Sequence, residues 1–200
     1  MNIANDRAPE ADAIASLRKA TASRHHALDS TLAIGAPGAT LADYVRHLQL
    51  LRQWLGPLEA WLHSYADGPH RVPGLEPPAR LALIDSDLLD AGCGASAAAP
   101  EAAWPADAGL AYRWGVSYVV EGSQLGGAVL YAQLAAPLAP HPLRYLRGNG
   151  TGPGPRWRSF MLALRTQVRT PAEIAEACAG ACAAFDRIIA LHAATERAAS

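Results

Sequence analysis

The amino-acid sequence predicts an all-α protein folded as a single-domain helical bundle. Apolar residues recur at helical spacing in several long segments, and loops rich in glycine and proline separate these segments. No segment alternates apolar and polar residues over the length of a strand, and no internal repeat is visible. A chain of 200 residues suits one domain. We expect a flexible N-terminus over residues 1–10 and one helical domain over residues 11–200.

The order of the helices follows from the apolar stripes and from helix start and stop signals. Pro105 and Asp107 are start signals for the central helix, and Thr170 followed by Pro171 is typical of an N-cap with proline at the first helical position. Gly56 and Pro57 are expected to break or kink the second helix. The predicted helices cover residues 11–30, 41–55, 58–65, 79–89, 114–131, 156–168 and 171–197, with loops at 35–40, 67–78, 91–105 and 137–155.

Composition makes several classes of protein poor candidates. Seventeen basic and eighteen acidic residues give a net charge of −1, so no broad basic surface for nucleic acid is expected. Three cysteines form neither an even set nor a CxxC pair, which favours a reducing cytoplasmic setting. The first residues lack an apolar run, and the longest uncharged stretch, 122–143, contains three prolines. Neither a signal peptide nor a membrane span is predicted.

The central helix carries an unusual group of glycines. Gly122, Gly126 and Gly127 follow the apolar residues that begin at Trp114. A glycine inside a helix costs about 1 kcal/mol relative to alanine, so three of them need a reason. Either the helix bends there to pack against a neighbour, or its bare backbone lets a large flat ligand approach closely. The residues alone leave both interpretations open.

His25 is the best candidate for a metal ligand. It lies on the inward stripe of the first helix, whereas His26 is turned about 100° away toward solvent. Asp29 follows at i+4 and can accept a hydrogen bond from the imidazole, as partners of metal-bound histidines do. The usual alternative is a core histidine. No pattern for a multi-ligand metal site is present, and a single axial histidine is a ligand that haem iron uses.

Two segments together resemble one family, the haem oxygenases. LRKATASRHHALD (residues 17–29) resembles their proximal helix, in which a histidine four residues after a threonine binds the iron. YVVEGSQLGG (residues 118–127) is similar to the distal helix of the bacterial members, which bends over the haem at its glycines. The resemblance implies the haem oxygenase type of helical fold, His25 as the axial iron ligand and Asp29 as its partner.

The same resemblance implies roles for further residues. Arg18, Tyr118 and Arg158 match positions that contact the haem propionates. From the residues alone, Arg18 is equally typical of a solvated helix charge, Arg158 is more typical of a surface arginine, and Tyr118 is typical of a core position. Ser123 stands where the mammalian branch has a carboxylate that organises distal water. The distal wall would consist of Gly122, Ser123, Gly126 and Gly127.

The activity implied by the resemblance is oxidative cleavage of haem to biliverdin, CO and ferrous iron. Haem would be both cofactor and substrate, with O₂ and an external electron donor, either a reductase or a ferredoxin. The EGSQLGG form of the distal helix favours biliverdin supply to a bacteriophytochrome. Three other interpretations compete: a haem-binding or haem-trafficking protein without turnover, a thiaminase-like enzyme with a pocket cysteine, and a purely structural bundle.

Overall fold

A computed structural model describes residues 12–94, 103–148, 150 and 152–199. This part of the chain contains no β-strand, which confirms the all-α prediction. The expected flexible segment, 1–10, lies outside the described residues. Two short 3₁₀ turns occur at Ala33–Gly35 and Pro69–Arg71. The described residues form seven α-helices: α1 (Ala13–Asp29), α2 (Leu41–His63), α3 (Arg80–Asp90), α4 (Leu110–Leu134), α5 (Arg144–Arg147), α6 (Gly154–Gln167) and α7 (Pro171–Ala199).

Side-chain caps define the starts of the three helices that frame the bundle. The Asp12 carboxylate accepts a hydrogen bond from the Ile14 amide at 3.0 Å and so begins α1. Thr40 and Asp43 form a reciprocal capping box at the start of α2. The Thr170 amide donates to the Glu173 carboxylate at 2.8 Å at the start of α7, in agreement with the predicted N-cap.

The structure differs from the predicted helix boundaries at two places, and at Pro57 it excludes a break. α2 continues through Pro57 to His63, because Trp54, Leu55 and Leu58 bury one face of it across the proline. The loop predicted over 137–155 contains α5, whose first amides are held by Asp87 of α3. The Asp87 carboxylate accepts hydrogen bonds from the Arg144 amide at 3.0 Å and from the Tyr145 amide at 2.8 Å. A cap supplied from another helix leaves no local sequence signal.

α4 and α7 pack closely because glycines stand where they cross. A Cβ built on Gly115 would lie 1.8 Å from the carbonyl oxygen of Ala177, and one built on Gly180 would lie 2.1 Å from that of Tyr112. Any larger residue at either position would push the helices apart. The N-terminal half of α4 is therefore fixed against α7 along its backbone.

The bundle leaves an open space between its helices. α1, α2 and α4 all pack on α7, and a cavity remains among these four helices. α5 and α6 contact α4 near the same space. No helix in the described part of the chain is long and apolar enough to cross a membrane.

Candidate functional site

The cavity is the main candidate site. It has a volume of about 570 Å³, which lies in the range of small-molecule and cofactor sites. Apolar side chains such as Leu51, Trp54 and Phe185 form much of its lining. The polar residues on its wall include His25, His47, Ser123 and Tyr145. Such a lining suits a large apolar ligand that carries a few polar groups.

His25 lies on the cavity wall and not in the core. Its side chain is 63% exposed, whereas Leu17, Thr21 and Leu28 on the same stripe are buried. The inward stripe therefore directs His25 toward the cavity between the helices, as predicted, and the alternative of a satisfied core histidine is wrong. His25 Nδ1 lies 2.8 Å from a carboxylate oxygen of Asp29, as the i+4 spacing predicts. When Nδ1 donates to Asp29, the Nε2 lone pair is left available for a metal.

The glycines of α4 line the same cavity. A Cβ built on Gly126 would meet no atom within 4 Å, and one on Gly127 would reach only a methyl group of Leu146 at 3.7 Å. Gly122 has the Trp157 ring as its nearest neighbour, at 3.6 Å. These glycines are therefore not needed for helix packing, in contrast to Gly115. The bare backbone of α4 faces open space that a ligand can occupy.

Of the three residues predicted to contact the propionates, two line the cavity and one lies outside it. Arg18 and Tyr118 line the cavity. Burial raises the pKa of Tyr118, and the neighbouring Arg18 guanidinium opposes that rise. Arg158 does not line the cavity. It is exposed in a shallow groove adjacent to the cavity, where Arg18 and Arg165 also lie. Arg18 therefore belongs to both surfaces and marks the mouth of the cavity.

A small polar group lies beside the glycines and includes a residue that sequence analysis did not identify. The Gln124 amide donates a hydrogen bond to the Tyr145 hydroxyl at 3.0 Å, and the Ser123 hydroxyl donates to the carbonyl of Val120 at 2.8 Å. Burial raises the pKa of Tyr145, so its hydroxyl stays protonated at neutral pH. Tyr145 reaches the cavity only because Asp87 holds the start of α5. No local pattern could have revealed it.

Glu121 points away from the cavity into a buried ion-pair network. Its carboxylate accepts hydrogen bonds from Arg80 at 2.7 Å and from Arg156 at 2.7 and 2.8 Å. Burial alone would raise the pKa of Glu121, but the two guanidinium groups together hold it below its usual range. Arg80 also contacts Glu59 at 3.3 Å. The network joins α4 to α2, α3 and α6 directly behind the cavity wall.

The structure gives no support to a cysteine nucleophile in the cavity. Cys178 and Cys182 lie on α7 but are not among the residues that line the cavity. The Cys182 thiol points to the carbonyl of Ala20 at 3.5 Å, and burial raises the pKa of the Cys178 thiol. Both are partly buried small residues between helices. The thiaminase-like interpretation required a thiol in the pocket.

Comparison with known proteins agrees with this arrangement. Residues 11–194 match the model of the family described as "Heme oxygenase". A protein named "Heme oxygenase" from Xanthomonas campestris pv. campestris (strain 8004) is 34% identical over 142 residues, which span 70% of this chain and 80% of the relative. The crystal structures of the NO- and CO-bound heme oxygenase from Neisseria meningitidis provide a structural neighbour. It has a TM-score of 0.72 and 28% identity, with 90% of each chain covered. The chain belongs to the haem oxygenase family.

Proposed function

We propose that this haem oxygenase cleaves haem to biliverdin, CO and ferrous iron, with O₂ and electrons from an external donor, in the cytoplasm. The observation that carries the proposal is one cavity lined by both an imidazole and a glycine-rich helix backbone. Nε2 of the imidazole is available as a ligand atom when Nδ1 donates to Asp29, and the glycine backbone faces open space. Bound haem supplies the iron that activates O₂ and is itself the ring that is opened.

The residues of the cavity fit haem on three counts. The volume of about 570 Å³ and the largely apolar lining suit a flat macrocycle. Gly122, Gly126 and Gly127 add no side chain on one wall, so the macrocycle can lie in contact with the backbone. Arg18 at the mouth can pair with a propionate carboxylate, and Tyr118 can donate a hydrogen bond to one. Arg158 lies outside the cavity, where it could reach only a propionate that extends past the mouth.

Several side chains of the cavity then have defined tasks. Asp29 fixes the tautomer and orientation of His25, so that Nε2 is the ligand atom. Phe185, whose ring centre lies 5.7 Å from that of His25, limits rotation of the imidazole. On the glycine-rich wall, Ser123 and Tyr145 can hold water and supply protons in place of a carboxylate. The bare backbone leaves room for O₂ at the ring edge.

The groove beside the mouth supports an acidic electron donor. Arg18, Arg158 and Arg165 are exposed there, and Asp12, which lies 3.7 Å from Arg165, offsets only part of their charge. Positive charge at this place favours encounter with an acidic ferredoxin or reductase. The EGSQLGG segment of α4 favours a bacteriophytochrome as the acceptor of biliverdin.

The test is an absorption titration of the purified protein with haemin, followed by an electron donor under air. A 1:1 complex whose Soret band decays while biliverdin absorption grows is the expected result. Stable binding without decay would favour a haem carrier, and absence of binding would refute the proposal.

A matched pair of variants tests the ligand. His25→Ala should abolish normal axial ligation, whereas His26→Ala should leave the spectrum unchanged, because His26 is exposed on α1 and does not line the cavity. Equal loss in both variants would exclude His25 as the ligand.

A further inference from the structure

His47 is a polar residue of the cavity that the proposed reaction does not use. It projects from α2 into the same cavity as His25, and its Nδ1 atom is buried without a hydrogen-bond partner in the described part of the chain. A histidine here carries the cost of an unpaired buried nitrogen, which a residue used only for packing would avoid. Leu48 and Leu51 beside it on α2 are buried in the core, and a leucine would fit a purely apolar wall.

His47 lies toward the C-terminal end of α1. His47 interacts electrostatically with His192 of α7, whose Nε2 lies 3.3 Å from the carbonyl oxygen of Thr31. Thr31 follows the C-terminal end of α1, whereas Arg18 lies on its second turn. The helix rise places these two ends about 17 Å apart along the axis. A tetrapyrrole with its propionates at Arg18 would therefore present its opposite edge to His47.

The imidazole of His47 is neutral and has one nitrogen to offer. Burial lowers its pKa to about 4, and the charge of His192 acts in the same direction. Because Nδ1 is covered, the edge of the ring that lines the cavity carries Nε2. A proton on Nε2 would make it a hydrogen-bond donor directed at the ligand.

The intact and the cleaved tetrapyrrole differ at this edge. Opposite its propionates, haem carries only methyl and vinyl groups, and its four pyrrole nitrogens bind iron. Biliverdin IXα carries two lactam carbonyl oxygens at the same edge, where the ring has been opened. We propose that His47 donates a hydrogen bond to a lactam oxygen of biliverdin and thereby distinguishes the product from haem. This inference rests on the proposed function and adds a product-binding residue to it.

The test compares dissociation constants for haemin and for biliverdin IXα. Both can be measured by quenching of tryptophan fluorescence, because Trp54 and Trp157 line the cavity. The variants are His47→Leu, which removes the donor, and His47→Gln, which keeps an N–H donor on a flexible side chain. His26→Leu is the control for loss of an exposed histidine.

In the His47→Leu variant, loss of one hydrogen bond should raise the dissociation constant for biliverdin about fivefold or more. The dissociation constant for haemin should change by less than about twofold. His47→Gln should recover part of the loss, and release of biliverdin after one turnover should be faster in His47→Leu. Equal effects on both ligands, or no effect on either, would overturn the role of His47. A wild-type chain that binds no haemin would overturn the proposed function itself.

Discussion

Gly126→Ala should make the protein more stable and its cavity less able to bind haem. Gly126 lies inside α4 with helical neighbours on both sides, and a Cβ there would meet no atom within 4 Å. Alanine in place of an interior helix glycine contributes up to about 1 kcal/mol. For a domain of this size, that gain raises the melting temperature by about 3 °C. Glycine at position 126 therefore lowers the stability of the protein, and nothing in the packing of the fold requires it.

The same methyl group occupies space that the proposed ligand needs. If haem lies in contact with the backbone at Gly126, one added methyl causes an overlap that costs about 1–3 kcal/mol. The dissociation constant for haemin should rise about tenfold, which corresponds to about 1.4 kcal/mol. The measurements are thermal unfolding of the haem-free protein and a haemin titration of both proteins at one pH and salt concentration.

Gly115→Ala is the matched control on the same helix. Its Cβ would lie 1.8 Å from the carbonyl oxygen of Ala177, so α4 and α7 must separate, at a cost of about 3 kcal/mol. We therefore expect opposite signs for the two glycine substitutions in thermal unfolding. A less stable Gly126→Ala variant, or one with unchanged haemin affinity, would refute the assignment of the open backbone to ligand binding.

Two further predictions concern buried charge. Glu121→Leu should destabilise the protein by about 3 kcal/mol in urea unfolding, because Arg80, which is 3% exposed, keeps only its 3.3 Å contact with Glu59 and Arg156 loses its carboxylate partner. Asp186→Ala, which removes the exposed partner of Arg24, should cost less than about 1 kcal/mol, and equal losses would contradict the argument. His47 has a folded-state pKa of about 4, below its ordinary 6.5, so the unfolded chain binds the extra proton as pH falls between these values. This residue should therefore account for a loss of about 3 kcal/mol of stability from pH 6.5 to pH 4. In the His47→Gln variant, the free energy of unfolding should fall less between these pH values, by that amount. Burial also lowers the pKa of His70, but His70 is present in both proteins and its contribution cancels in the comparison. Parallel curves of stability against pH for the two proteins would count against a buried neutral His47.

Local physical signals made most of the fold predictable. The Thr170–Pro171 start and the stripe of α1 depend on residues adjacent in sequence, and these helices lie close to their expected positions. The contact between His25 and Asp29 is likewise a consequence of i+4 spacing on one helix. Predictions failed where tertiary packing decides the outcome. Pro57 remains helical because the core holds both sides of it, and α5 exists because Asp87 supplies its cap from α3.

The parts of the site that sequence could not supply come from distant residues. Tyr145 reaches the cavity through a hydrogen bond from its backbone to Asp87, a residue 58 positions away. His47 shares the cavity with His25 only because α1 and α2 both pack on α7. A family resemblance identified the residues of two segments, Leu17–Asp29 and Tyr118–Gly127. The residues outside those segments that complete the wall had no pattern by which to identify them.

Glycine has two opposite roles in α4. Near the N-terminal end it allows close packing against α7, and near the C-terminal end it leaves the helix backbone open to the cavity. Up to Glu121, it is held by direct backbone contact with α7 at Gly115 and by the buried network of Arg80 and Arg156. From Gly122 to Gln133, none of its residues is buried. Because residues 122–133 bury no side chain, packing stabilises them little. The contacts of the preceding turns of α4 offset that loss. The bare backbone can then keep its helical form beside an open cavity, which is the condition for a ligand to use it as a wall.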